Sequence, residues 1–231
     1  MRLIATLTLL LLAASPWAGE PELTPYHAVY EARYNGMPIE AHRQLQHTDK
    51  GYRIVTEARN FLGHIREEEH FQRDAKGRLI PENYVYDRKI LGKSRKETIA
   101  VDPAKGISVT RRKGREQILD FSPGQLGPLS YQVAMARDLT AGATELSYPV
   151  IHRGHLKEYR YRRLGEAMLD TPLGKLRTVQ VERVRDDSDR ETLLWLAPDY
   201  HYLPVQLRQV EDGETYEMRL KSLTLNPRPS P

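Results

Sequence analysis

Apolar and polar residues alternate along most of this chain, in short runs separated by turn-forming residues. The first run carries a small or aromatic residue at every second position, at Tyr26, Ala28, Tyr30, Ala32 and Tyr34. Because a strand places alternate residues on one face, this run predicts a half-buried strand, and Asn35-Gly36 after it is a strong hairpin signal. Turn signals recur about every 8–12 residues, a spacing typical of sandwiches and barrels. The pattern predicts a mainly β protein of about ten or more antiparallel strands.

One segment breaks this alternation. Gly127-Pro128 leads into residues 129–139, which contain few β-branched side chains. Three apolar residues share one helical stripe: Leu129, Val133 and Ala136. Pro128 suits a first helical turn and Gly142 suits a stop, so the sequence predicts one α-helix near residues 128–140. We expect this helix to cap or plug the open side of a curved sheet, with Trp195 packed beneath it.

The first residues have the pattern of a secretory signal peptide. Met1 and Arg2 form a short positive region, residues 3–14 are an uncharged leucine-rich run, and residues 15–19 are small or turn-forming. A run of this length is too short to span a bilayer and is typical of an export signal. We therefore expect a cleavable signal peptide over residues 1–18 and a periplasmic protein.

The remaining chain is predicted to form one domain. Residues 19–226 are long enough for a single antiparallel β domain and contain no linker-like stretch, whereas the proline-rich residues 227–231 are predicted to be disordered. No later apolar run reaches about 18 residues, so the mature chain is predicted to have no integral membrane span. The absence of cysteine excludes disulfides and lipidation on cysteine.

Charge is nearly balanced overall but uneven along the chain. The 35 basic and 31 acidic residues argue against a nucleic-acid partner. Only Glu97 and Asp102 oppose the many basic residues between Arg88 and Arg115. Those around a predicted hairpin tip at Gly114 are candidate contacts to an anionic lipid or an envelope polymer: Arg111, Arg112, Lys113 and Arg115. Hairpin tips often carry Lys and Arg, so an ordinary solvated surface is the alternative.

Tyrosine is unusually frequent, with 13 residues against 3 phenylalanines. Tyrosine combines an apolar ring with a polar tip, which suits half-buried sheet surfaces and binding clefts. The face formed by Tyr26, Tyr30 and Tyr34 is therefore a candidate lining for a ligand groove, with ordinary core packing as the alternative.

No catalytic or metal-binding motif stands out. In a strand, period two would place His64, Arg66, Glu68 and His70 on one face, and Glu67, Glu69 and Phe71 on the other. This is neither of the helical zinc patterns, and a solvated, charged strand face is the favoured interpretation. There is no cysteine nucleophile and no Gly-x-Ser-x-Gly elbow. The sequence therefore predicts no catalytic residue, no metal site and no cofactor.

Three stretches of turns and strand starts carry a family resemblance. They are Gly127-Pro128-Leu129-Ser130-Tyr131, Thr171-Pro172-Leu173-Gly174-Lys175-Leu176, and Trp195-Leu196-Ala197-Pro198-Asp199 followed by Leu203-Pro204-Val205. They resemble the exported bacterial family known as domain of unknown function 3108, whose helix start is often acidic where this chain has Gly127. The resemblance implies a curled antiparallel open barrel or half-barrel wrapped round one central α-helix, similar to the lipoprotein-carrier folds of the periplasm. It implies no activity.

The sequence favours a non-enzymatic periplasmic protein that binds an amphipathic or anionic envelope ligand, a lipid or a glycan, or an envelope protein partner. The basis is an apolar, tyrosine-rich sheet face combined with a basic segment. Two alternatives remain open. One is a scaffold or adaptor in cell-envelope assembly that needs no small ligand, and the other is a hydrolase without a recognisable motif.

Overall fold

The computed structural model describes residues 22–34, 37–186 and 189–225. Three sequence predictions fall outside these ranges and are not addressed by the structure. They are the signal peptide over residues 1–18, the turn at Asn35-Gly36 and the disordered tail over residues 227–231.

Fourteen strands and one α-helix make up most of the described chain. The strands are β1 (Tyr26–Tyr34), β2 (Met37–Thr48), β3 (Gly51–Asn60), β4 (Gly63–Arg73), β5 (Leu79–Ile90), β6 (Lys93–Asp102), β7 (Ile107–Arg112), β8 (Arg115–Asp120), β9 (Glu145–His152), β10 (His155–Thr171), β11 (Gly174–Val184), β12 (Glu191–Ala197), β13 (Leu203–Glu211) and β14 (Glu214–Leu225). Helix α1 (Ser130–Thr140) lies between β8 and β9, and a 3-10 turn (Pro198–Tyr200) follows β12. The mainly β, antiparallel prediction is confirmed.

All the strands belong to one sheet, with the order β8-β7-β6-β5-β4-β3-β2-β1-β14-β13-β12-β11-β10-β9. Two meanders are thus joined where β1 pairs with β14, and the sheet is not closed within the described residues. Because successive strands run antiparallel, the turns that follow odd-numbered strands lie at one end of the sheet, called here the hairpin end. No helix within the described ranges is long and apolar enough to cross a membrane.

Two buried clusters form the core. The first joins helix residues Ala134, Met135 and Leu139 to strand residues that include Phe71 and Val150. Burying these side chains removes apolar surface from water, which is the main stabilising contribution to such a fold. The predicted helix stripe was partly wrong. Leu129 is buried, but Val133 and Ala136 are only half-buried because the helix turns Ala134, Met135 and Leu139 inward.

The prediction for Trp195 was wrong, because this side chain packs in the second cluster. That cluster combines residues such as Tyr30, Val205 and Leu220, and its described members include no residue of α1. Leu194 and Leu196 belong with the first cluster, and successive side chains of a strand point to opposite faces. Trp195, between them on β12, therefore faces away from the helix.

Strand β10 continues through Gly165, a residue type that often marks a turn. The structure has a single strand of 17 residues, with a register shift between Arg163 and Gly165 against β11. Such a bulge accommodates one extra residue without ending the pairing, so the glycine does not mark a turn here.

Candidate functional site

The N-terminus of α1 is held by a buried carboxylate from strand β4. Glu69 Oε2 accepts hydrogen bonds from the backbone N–H groups of Leu129, at 2.6 Å, and Ser130, at 3.0 Å. The first N–H groups of a helix lack intrahelical partners and carry the positive end of the helix dipole, so a carboxylate stabilises them. Glu69 therefore supplies, from a distant strand, the acidic group that is absent at Gly127.

Burial dominates the chemistry of Glu69. It raises the pKa of this carboxyl to about 7, while hydrogen bonds from Ser130 and the N–H of Leu129 oppose the rise. The alternation predicted along β4 is correct, since Glu69 and Phe71 share a face. The expectation of a solvated face is wrong for Glu69, which is completely buried. Its contacts give it a structural role, joining β4 to the helix.

The opposite face of β4 carries an ion network centred on Glu68. Arg53 donates to both carboxylate oxygens, at 2.6 and 2.9 Å, and Arg66 donates to Oε2 at 2.7 Å. The imidazole of His70 lies 3.0 Å from Oε1. Protein groups thus engage both oxygens, and the described residues contain no group of three or more side chains placed to hold a metal.

The Glu68 network predicts acid-sensitive stability. The Arg53 hydrogen bond, supported by Arg66 and His70, lowers the pKa of Glu68 from 4.5 to about 2 despite partial desolvation. A depressed pKa contributes stability above the unfolded value, and that stability is lost as the pH falls through the folded value. We expect the free-energy difference between wild type and Glu68→Gln to be largest above pH 4.5 and to shrink towards pH 2.

Urea unfolding of both proteins across this pH range measures the difference. Asp170→Asn is the control, because Asp170 is an exposed carboxylate paired only with Lys175 among the described residues. A pH-independent difference for Glu68→Gln would contradict the role assigned to the ion network.

A mainly apolar cavity of about 400 Å³ lies beside α1, between the helix and the sheet. Its lining includes the two half-buried helix residues and apolar side chains from several strands: Val133, Ala136, Leu45, Ile54, Leu79 and Leu223. Segments from the end of the sheet opposite the hairpin end complete the lining, including Thr24 and His201, whose side chains lie 3.2 Å apart. The half-burial of Val133 and Ala136 agrees with this position, since both line the cavity, although Val133 also packs against the first core cluster.

One buried cation lines this cavity. Arg43 is 8% exposed and donates from its guanidinium to the Tyr26 hydroxyl at 3.0 Å, Thr56 Oγ1 at 2.9 Å and Gln132 Oε1 at 2.9 Å. All three acceptors are uncharged, and Arg43 forms no ion pair within the described residues. Arginine stays protonated in proteins, so the wall of the cavity carries a full positive charge.

The three candidate tyrosines have different environments. Tyr26 lines the cavity and its hydroxyl accepts the hydrogen bond from Arg43. Tyr30 is 2% exposed in the second core cluster, and burial raises its pKa. Tyr34 ends β1, opposite Met37 in the β1–β2 pairing. The structure therefore brings Tyr26 to the cavity and places Tyr30 in the core.

The predicted basic patch is divided between two faces. Arg111 Nε lies 2.8 Å from Glu116 across the β7–β8 hairpin. The other candidates line a cleft with residues of β8 and the β9–β10 hairpin: Arg112, Lys113, Arg115, Gln117, Arg153 and His155. Arg112 and Arg115 are direct cross-strand partners, an unfavourable like-charge pair that Glu97, 3.1 Å from Arg112 Nε, offsets in part.

The same region lowers the pKa of His152. Burial is the largest cause, and neighbouring cations add to it: Arg153, Lys157, Arg183 and Arg112. Together they bring the pKa to about 4, so the imidazole is neutral at pH 7. The cations identify a positive potential at the hairpin end, which attracts anions.

Comparison with known families assigns the chain. The family described as "Protein of unknown function (DUF3108)" matches residues 29–221. The chain belongs to this family. The predicted resemblance is thereby confirmed. No curated protein matches the sequence.

A solved structure of another domain of unknown function shares the fold of this family member. It is similar to a structure described as "Beta-barrel-like Protein of Domain of Unknown Function DUF1849 from Brucella abortus", with 14% identity, a TM-score of 0.59, and coverage of 89% of this chain and 99% of that chain. At this identity the similarity shows the fold alone. A structure of the Pseudomonas aeruginosa MucA/MucB complex matches with 13% identity, a TM-score of 0.30, and coverage of 90% and 53%. A TM-score this low does not establish a common fold.

Sequence reasoning missed Arg43 and Arg153. The signal for Arg43 was present, because Arg43 occurs in phase with Ala41 and Leu45 on β2, where an apolar residue is expected. No local signal identifies Arg153, because it joins the cleft only where the β9–β10 hairpin, at one edge of the sheet, comes against the side chain of Gln117 on β8, the other edge strand.

Proposed function

We propose that this protein is a non-enzymatic binding protein of the periplasm that holds a single-chain amphipathic lipid with an anionic end. The apolar chain occupies the cavity beside α1, and the anionic end meets Arg43. The observation that carries the proposal is a buried guanidinium, with only uncharged hydrogen-bond partners, in the wall of a mainly apolar cavity.

The size and lining of the cavity support a small amphipathic ligand. Its volume of about 400 Å³ lies within the usual range for small-molecule sites, about 300–1,000 Å³. Apolar side chains of the helix and sheet provide a surface on which an alkyl chain is removed from water. The exposed surface of the cavity is mainly apolar, so most hydroxyls of a glycan would lie against apolar groups, which favours the lipid over the glycan.

The charge of Arg43 supports an anionic end group. A guanidinium has five N–H donors, and the three hydrogen bonds of Arg43 leave two for a ligand. The charge of Arg43 opposes the rise in the pKa of Glu67 and Glu69, but neither carboxyl forms an ion pair with it, so an anion in the cavity would supply a direct counter-charge to this buried cation. Tyr26 and Gln132 also line the cavity and hold the guanidinium in one orientation.

We further propose that the sheet curls round α1 and that residues 1–18 direct export of the protein. A curled sheet would leave the cavity between its inner face and the helix, with access near Thr24 and His201. A pre-formed site of this kind needs no chemical step, which agrees with a carrier or sensor rather than a hydrolase.

Ligand binding tests the proposal with two matched probes, dodecanoate and the uncharged 1-dodecanol. We expect dodecanoate to bind about tenfold more tightly or better, because a hydrogen bond to a charged group contributes about 1.5–3 kcal/mol. Ala136→Trp fills the cavity and should abolish binding of both probes. Ala100→Trp makes the same change at an exposed position of β6 and should bind as wild type does. Native mass spectrometry and calorimetry measure occupancy and affinity.

Equal affinity for the two probes would contradict the role of Arg43 in binding the anionic end. Undiminished binding by Ala136→Trp would show that the cavity is not the binding site. A wild-type protein that binds neither probe but retains an envelope protein during purification would favour the scaffold function instead.

A further inference from the structure

Two hairpin tips expose apolar side chains side by side at the hairpin end. Phe61 in the β3–β4 turn is 85% exposed, and Leu91 in the β5–β6 turn is 72% exposed. The backbone N–H of Leu91 donates to the carbonyl of Leu62 at 3.0 Å, so the two turns are in direct contact. Together Phe61, Leu62 and Leu91 form one surface, called here the tip surface.

The backbone of both turns is ordered by specific contacts. Asn60 Oδ1 accepts the N–H of Leu62 at 2.9 Å, which fixes the β3–β4 turn. Gly63 approaches β5 so closely that a Cβ atom there would lie 1.9 Å from the carbonyl oxygen of Lys89. The tip surface is therefore pre-formed, and both apolar side chains project from it into solvent.

Leu91 is an unfavourable residue for its turn. Its φ of 48° and that of Gly92, 76°, are those of a tight hairpin turn in which Asn or Gly is preferred at the first position. An apolar side chain there is both strained and largely exposed to water. Neither property stabilises the fold. This points to a role for Leu91 in contact with another molecule.

Unpaired cations surround the tip surface. No acidic residue occurs between Arg88 and Lys96, and the segment carries five cations: Arg88, Lys89, Lys93, Arg95 and Lys96. Within the described residues none of these five forms an ion pair, although Arg95 lies over the Tyr86 ring, 6.0 Å from its centroid, and Lys96 is the cross-strand partner of Asp87. Arg88 and Arg95 are direct cross-strand partners. The nearby acids are already engaged, since Glu57 contacts Arg59 and Arg66, and Asp87 lies 3.8 Å from His64.

We propose that the tip surface docks on an anionic phospholipid bilayer, with Phe61 and Leu91 inserted among the acyl chains and the surrounding cations on the headgroup phosphates. Exposed apolar groups next to Lys and Arg are the combination that holds a protein in the interface of an anionic membrane. The basic cleft at the β7–β8 hairpin lies at the same end of the sheet and extends the positive surface. Phe61, Leu62 and Leu91 do not line the cavity beside α1, so this inference is independent of the proposed ligand.

Vesicle co-sedimentation tests the docking, with phosphatidylcholine vesicles that contain or lack phosphatidylglycerol. We expect binding only to the anionic vesicles, and a loss of about tenfold or more for Phe61→Ser combined with Leu91→Asn. Asn suits the positive φ at position 91, so this variant should fold at least as well as wild type. The control Leu164→Asn with Met168→Ser removes exposed apolar surface from β10 and should bind as wild type does.

Tryptophan fluorescence provides a second readout that does not depend on loss of function. Emission of Phe61→Trp should shift to the blue when anionic vesicles are added, whereas emission of Met168→Trp should not. Equal binding to neutral and anionic vesicles would contradict the role of the cations. If the Phe61/Leu91 variant binds as tightly as wild type, the tip surface is not the docking site. Binding of dodecanoate by that variant should be unchanged, which separates a failure here from a failure of the proposed function.

Discussion

Glu69→Ala is expected to lower the free energy of unfolding by about 4 kcal/mol, because two buried N–H groups at the start of α1 lose their acceptor. Each buried donor without a partner costs about 1–3 kcal/mol, and loss of a helix cap alone costs about 0.5–2 kcal/mol. Glu69 is completely buried, so the void left by its side chain adds to the loss. Urea denaturation at pH 7, followed by circular dichroism, measures the difference.

Glu69→Gln is the matched variant, since its amide oxygen can still accept from Leu129 and Ser130. It also has a defined pH signature. The pKa of Glu69 is raised from 4.5 to about 7, so the folded state favours the protonated form. This contribution to stability is fully present below pH 4.5 and is lost as the pH rises through about 7. The stability of Glu69→Gln relative to wild type should therefore increase between pH 4.5 and pH 7.

A loss below about 1 kcal/mol for Glu69→Ala would contradict the capping role, because even a simple exposed cap contributes about that much. An equal loss in Glu69→Ala and Glu69→Gln would show that an amide of the same size does not replace the carboxylate, so that neither packing nor a neutral acceptor accounts for its contribution.

The strands were predictable from the sequence because each one is encoded locally. Alternation fixes which side chains share a face. Turns such as Lys113-Gly114 and Asp212-Gly213 fix the hairpins, since both residues of each turn adopt the positive φ that a tight hairpin needs. Within the described residues, twelve of the fourteen strands pair with the strand that follows them in the chain. The pairing of β1 with β14 and the contact of Glu69 with α1 join residues distant in sequence, and no local pattern encodes them.

The candidate site was predictable only in part, for the same reason. Tyr26 was predicted because alternating tyrosines along a strand are visible in the sequence. Arg112, Lys113 and Arg115 were predicted because these cations lie close together in the sequence. Arg43 was missed, since its charge hides the fact that it occupies an interior position on β2. A charged residue in phase with apolar neighbours is thus a better indicator of a functional interior than total charge is.

Gly127→Ala is expected to destabilise the protein by about 3 kcal/mol through a collision with Glu69. A Cβ atom at position 127 would lie 2.1 Å from Glu69 Oε1 and 2.4 Å from its carboxyl carbon. That carboxylate cannot move away, because Leu129 and Ser130 hold it by hydrogen bonds. Overpacking of this kind costs about 1–3 kcal/mol, and displacement of the cap adds to it.

A double-mutant cycle distinguishes this mechanism from a general intolerance of Ala at position 127. In the Glu69→Ala background the carboxylate is absent, so adding Gly127→Ala should cost little, and the coupling energy should reach about 2–3 kcal/mol. Gly51→Ala provides the control cycle, because its Cβ would meet the backbone oxygen of Phe71 at 2.6 Å, a collision that removing the Glu69 side chain does not relieve. Additive losses for Gly127→Ala and Glu69→Ala would mean that the glycine is required for another reason. Strong coupling would establish that a glycine is needed before the helix because the capping carboxylate is supplied by β4.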